Sequence, residues 1–126
     1  MQTRKFILLL TLFLGLGSLC GSAFAHHGTA AYDESTTVTL HVAVTKFAWI
    51  NPHALIQFDV KDDNGSVKHW SVETFSPGKL VHAGWKKDDI KPGDELTISF
   101  YPAKNGSPMG FLVNVVLPDG RKLEPR

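Results

Sequence analysis

Apolar and polar residues alternate in five short stretches of this chain, and a helical period interrupts the alternation once, at Ser76-Pro77. That order limits the available folds more than any other feature. From Thr36, the residues Val38, Leu40, Val42 and Val44 share one face, and Thr37, Thr39, His41 and Ala43 share the other. Period two predicts a half-buried strand running toward Phe47 and Trp49. Ile50-Asn51-Pro52 ends it, because proline has no N–H to give a ladder and pushes the preceding residue out of regular geometry. A second strand is expected from His53 to Val60. Asp62-Asp63-Asn64-Gly65 then signals a hairpin, since Asn-Gly accepts the positive φ of a tight turn. A third strand runs Val67 to Thr74, with Trp70 and Val72 on one face and His69, Ser71 and Glu73 on the other.

Ser76 then reads as an N-cap with proline at the first helical position, and Leu80, Val81 and Gly84 fit a short helix closed by glycine. Lys86 to Ile90 makes a further turn. Lys91-Pro92-Gly93-Asp94 launches a fourth strand, Glu95 to Tyr101. A fifth, Phe111 to Leu117, follows the loop at Asn105-Gly106 and stops at Pro118-Asp119-Gly120, ahead of a charged tail. Three strands, a short helix, then two strands is the order of an OB-like barrel: mainly β, five-stranded, with its helix between strands three and four. A β-sandwich would want about seven strands and no such helix.

The first 25 residues read as an export signal. Arg4 and Lys5 precede an apolar run from Phe6 to Leu19, and Ala23-Phe24-Ala25 offers small residues for cleavage. The run is too short for a permanent bilayer span, so no stable membrane anchor is expected after cleavage. Gly21-Ser22-Ala23 is a second possible cut. Cys20 follows Leu19, where lipid attachment wants a smaller residue, and leaves with the signal. Cleavage after Ala25 gives residues 1–25 as signal, 26–35 as an extended N-terminal arm and 36–126 as the barrel domain. The expected location is periplasmic or secreted.

Without the signal, 11 basic residues face 12 acidic ones, so no cationic surplus exists to collect phosphates and nucleic acid is not an expected partner. The only cysteine lies in the signal, so the domain holds together without disulfides. All six histidines remain, which raises the case for metal or pH-linked chemistry.

The chain resembles a family of small exported bacterial proteins known as domain of unknown function 6152. The likeness rests on His26-His27 with Tyr32-Asp33, on Phe47-x-Trp49-x-Asn51-Pro52-His53, and on Trp70-Ser71-Val72-Glu73. Ser76-Pro77, Gly84-Trp85, Lys91-Pro92-Gly93-Asp94 and Leu117-Pro118-Asp119-Gly120 extend it over the mature chain. The family usually has serine where this chain has Gly28. The resemblance implies an exported small β-barrel-like domain and no known reaction.

Cleavage after Ala25 would leave His26 at the amino terminus, where one residue supplies an amine and an imidazole. With a second imidazole this makes an N3 set suited to copper. His27 and His53 are the candidates for that second imidazole, and His53 follows a proline-fixed turn beside the loop that borders the ligand face of OB-like barrels. The alternatives are a frayed terminus and a loop histidine bonded to backbone. His41, His69 and His82 read as surface residues. The rings of Phe47, Trp49, Trp70, Phe75, Trp85 and Tyr101 read first as packing, with Trp49 and Asn51 marking the loop for a small ligand or a periplasmic protein. Glu73, expected on a solvated strand face, is the acidic residue that could back His53, as an outer partner of a metal or in acid–base chemistry. No GxSxG, HExxH, phosphate loop or CxxC is present. The leading expectation is a non-catalytic binding module holding copper. A metal-free aromatic binding loop and a histidine-brace copper enzyme are the rivals.

Overall fold

The computed structural model describes residues 28–126. Six strands, β1 (Val38–Ala48), β2 (Leu55–Lys61), β3 (Val67–Glu73), β4 (Glu95–Pro102), β5 (Met109–Val116) and β6 (Lys122–Leu123), form one sheet. Their order is β3-β2-β1-β4-β5-β6, and an added parallel pairing of β3 with β5 closes the first five into a barrel. The helix α1 (Pro77–His82) connects β3 to β4. The five-stranded OB-like barrel expected from the periodicity is therefore the observed fold.

Three details differ from the sequence expectation. A sixth strand is present. Lys122 and Leu123 of the expected charged tail pair with Val116 and Val115. The first strand is also not strictly alternating. Val44 pairs with Phe58 but Lys46 with Gln57, so Thr45 is an extra residue, a bulge. The bulge changes the phase of the strand, directing Phe47 rather than Lys46 to the inward face opposite Ile56. The Lys91–Asp94 turn pins this point: Val44 N–H donates to the Asp94 carbonyl and Gly93 N–H to the Val44 carbonyl. Finally, in the β2–β3 turn only Gly65 has a positive φ, +81°, while Asn64 does not. The Asp62 carboxylate accepts from the Asn64 and Ser66 amides, so the acidic residue, not Asn64, organises the turn.

Ile56, Phe58, Val72, Leu96, Ile98 and Phe100 fill the barrel without exposure. Phe58 and Trp70 stack across β2 and β3, their rings 1° from parallel and 6.4 Å apart. Leu80, Trp85 and Ile90 join the same core, so α1 and the turn after it supply side chains to the barrel interior. The helix starts as its sequence suggests, with Ser76 Oγ accepting from Lys79 N–H and Pro77 following the cap. Trp85 is also fixed at its polar edge, where the indole N–H donates to the Glu124 carbonyl at 2.9 Å. Among the described residues no helix is long and apolar enough to cross a membrane.

The N-terminal segment is not simply an extended arm. Thr29–Ala31 form one turn of 3-10 helix, and Tyr32, next in line, is buried. Tyr32 bridges to Ala103, Asp33 N–H donates to the Pro102 carbonyl, and Lys104 reaches back to Ala31 with its amide and Ala30 with its ammonium. The arm is thus laid against the β4–β5 connection.

Candidate functional site

Register sets the site. Leu55 pairs with Glu73 across β2 and β3, and the ladder continues past both strand ends: Thr74 N–H donates to the Ala54 carbonyl and Ala54 N–H to Phe75. Ala54 and Thr74 consequently point inward and are fully buried. Strand alternation then places His53, Leu55, Glu73 and Phe75 together on the outer face. His53 and Glu73 are diagonal neighbours there, the spacing at which long side chains meet. They do meet, through His53 Nδ1 and Glu73 Oε1.

Glu73 pairs on its other side with Phe111 of β5, at the parallel seam that closes the barrel. Over that seam lies Tyr32. Its ring sits 5.8 Å from Phe111, and its hydroxyl donates to Glu73 Oε2 at 2.8 Å. Phe75 completes the group, edge-on to Phe111 at 5.3 Å. A small apolar patch outside the barrel thereby shelters one carboxylate held from two directions. Glu73 keeps 17% of its side-chain exposure and His53 keeps 42%. The expectation of a solvated face for Glu73 is corrected: burial under Tyr32 takes it out of open solvent. Burial also pushes the Tyr32 phenol above its ordinary pKa, since the phenolate would be poorly hydrated.

With Nδ1 engaged by the carboxylate, Nε2 is the ring nitrogen left for another partner. That is the arrangement found behind metal-bound histidines. Glu73 and His53, the outer pair expected from the sequence, are thus brought together. The sequence gives Tyr32 no role beside Glu73; it stands out there only as the one large side chain between residues 26 and 35 and as part of the Tyr32-Asp33 pair in the family resemblance.

The other candidates separate from this group. Trp49 is half-buried, edge-on to Phe47 at 5.5 Å, and Phe47 in turn lies 6.4 Å from Trp85. This chain of rings makes Trp49 part of the packing. Asn51 is exposed, ahead of a cis bond to Pro52. His41 and His69 sit on the barrel surface beside Glu95 and Asp59, and His82 is exposed on α1. His26 and His27 lie outside the described residues. Among the described residues no three His, Cys, Asp or Glu side chains converge in a group that could hold a metal ion. Two shallow cavities of about 190 Å³ flank Pro125 and Arg126, one lined by Tyr101, Leu112 and Val113, the other by Lys79, His82 and Ala83. Neither includes His53, Glu73 or Tyr32, and both fall short of the roughly 300–1,000 Å³ of a small-molecule pocket.

A family model described as a family of unknown function, DUF6152, matches residues 15–112. The chain belongs to that family. The match takes in the arm, the Phe47–His53 segment, Glu73 and the Phe111 seam, and stops short of Leu117-Pro118-Asp119-Gly120. No curated protein matches the chain. Membership in DUF6152 carries no reaction with it, so function rests on the side chains described above.

Proposed function

We propose that this DUF6152 protein is an exported, non-catalytic binding module that holds a late transition metal through His53 and the N-terminal histidines, and that copper is the metal. One observation carries the reading: Glu73 engages Nδ1 of His53 and leaves Nε2 as the available nitrogen. A single imidazole is not a site. The missing donors are assigned to His26 and His27, because the arm that bears them is anchored by Tyr32 to the same carboxylate that orients His53. Nitrogen donors without thiolate or a carboxylate cluster suit Cu(II) better than calcium or magnesium. Export is supported by Arg4 and Lys5, the apolar run behind them and Ala23-Phe24-Ala25. It is also what would generate a terminal histidine.

The test is native mass spectrometry of protein recovered after export and never exposed to chelator. A chain beginning at His26 with one copper retained, and lost in His53→Ala as well as His26→Ala, is the expected result. A chain beginning at Phe24, or one that ignores added copper, would overturn the assignment. Turnover with a reductant and oxygen would move the same residues to the histidine-brace enzyme reading.

A further inference from the structure

We infer that the cavity between α1 and the segment Glu124–Arg126 is a binding site for a small organic acid with a short apolar body; the inference is independent of the copper reading above. The cavity measures about 190 Å³ and is lined by Lys79, His82, Ala83, Pro125 and Arg126. Its walls are fixed from both sides. On α1, Ser76 Oγ accepts from the Lys79 N–H, and the Ala83 amide closes the helix on the Lys79 and Leu80 carbonyls. Opposite, Pro125 is buried, and the Glu124 carbonyl before it accepts the Trp85 indole N–H at 2.9 Å. The cavity is therefore formed before anything enters it.

Its lining carries cations and no acidic side chain. Lys79 Nζ stands 3.5 Å from the centroid of the Phe75 ring, and the Arg126 guanidinium carbon lies 5.8 Å from the same centroid. Both distances are within cation–π range. Two like charges gathered at one neutral ring repel each other, and among the described residues neither forms an ion pair. Glu124, the acidic residue of the same segment, is bonded to Lys122 at 2.8 Å and lines the other cavity. An anion taken up by Lys79 and Arg126 turns that repulsion into two attractions, and the His82 imidazole is a further donor on the rim.

The rest of the lining selects among anions. Ala83, Pro125 and the aliphatic stems of Lys79 and Arg126 present methyl and methylene surface, so an inorganic ion would lose water there without replacement. The volume lies below that of a drug-sized pocket and limits the occupant to a few heavy atoms. A short-chain carboxylate meets all three conditions of charge, apolar body and size.

The experiment is a ¹H–¹⁵N chemical-shift titration of the purified protein at constant ionic strength, with sodium butyrate as the probe. Butanol supplies the same apolar body without charge, and sodium phosphate supplies charge without the body. Butyrate is expected to give saturating shifts at the Lys79, His82, Ala83 and Arg126 amides, with a dissociation constant on the order of 1 mM. Butanol and phosphate should each bind at least fivefold more weakly. Lys79→Met keeps the stem over Phe75 and removes the charge, and Arg126→Met does the same from the opposite wall. Each should weaken butyrate by about fivefold, the upper end for an exposed ion pair, and leave butanol unchanged. Shifts that do not saturate, or variants that bind butyrate as wild type does, overturn the site. Phosphate as effective as butyrate would reduce it to a general cationic patch, and butanol as effective would remove the charges from it; either result overturns the assignment to an organic acid.

Discussion

The ring of Phe100 occupies the space that a side chain on Gly110 would fill. Gly110 pairs with Pro102 on one side and Val72 on the other, at the point where β5 passes from its antiparallel neighbour to its parallel one. A bare Cα here lets the core ring approach the seam. Gly110→Ala should therefore lower stability by about 2–3 kcal/mol, the cost of overpacking a filled core. Thermal unfolding would read this as a drop of roughly 10 °C or more for a domain of this size. A variant as stable as wild type would mean that β5 can shift outward without opening the barrel.

Thr74 presents a second anomaly. It is fully buried, and its hydroxyl has no hydrogen-bond partner. A desolvated, unpaired hydroxyl is a net cost, and valine has the same branching at Cβ. Thr74→Val is expected to be neutral or to stabilise by up to ~1 kcal/mol, as read by chemical denaturation. A clear destabilisation would show that the hydroxyl has a partner in solution.

How far these features could be read from the sequence depends on their range. The barrel order was legible, because five runs of period two and one Ser-Pro helix start are local signals. The bulge at Thr45 was not: Thr45 and Lys46 are both polar, and only the step from Val44 to Phe47 hints at a change of phase. Lys122-Leu123 is too short to carry a period. At the site, His53 and Glu73 could be named individually, and their pairing follows once the β2–β3 register is known. Tyr32 could not, because its contact with Glu73 is set by an irregular arm crossing a seam between two non-consecutive strands.

Asp33 gives a prediction with a definite sign. The Ser35 hydroxyl, then the Thr36 hydroxyl and the Ser35 amide, donate to its carboxylate and hold it below the usual carboxylate range. A depressed folded pKa contributes stability above the unfolded value of about 3.9 and loses it as pH falls through the folded one. Wild type should lose more stability than Asp33→Asn on acidification from about pH 5 to pH 2. Asp119, similarly lowered by Arg121, titrates in both proteins and cancels. Parallel acid profiles would dissociate the turn at Asp33 from stability.

At the alkaline end Tyr32 acts in the opposite sense. Its folded pKa is raised by burial, so its contribution is complete below the unfolded phenol value of about 10 and is lost as pH rises beyond it. Ultraviolet titration of the two tyrosines should show a late ionisation that disappears in Tyr32→Phe. A wild-type curve with both phenols ionising at the ordinary value would place Tyr32 in open water.

The position of β1 in the sheet bears on how the molecule is assembled. It lies third in the strand order, between β2 and β4, and His41 waits for Thr97, 56 residues further along, to complete the pairing on its second edge. A chain emerging from its amino end therefore makes a three-stranded meander whose central partner of the future sheet is still an open edge. Until the second half arrives, Leu40, Val42 and Val44 face water beside unpaired amides, which is the condition for joining a neighbouring molecule instead. Yield of folded protein should accordingly be most sensitive to how quickly, and in what company, residues 95–116 follow.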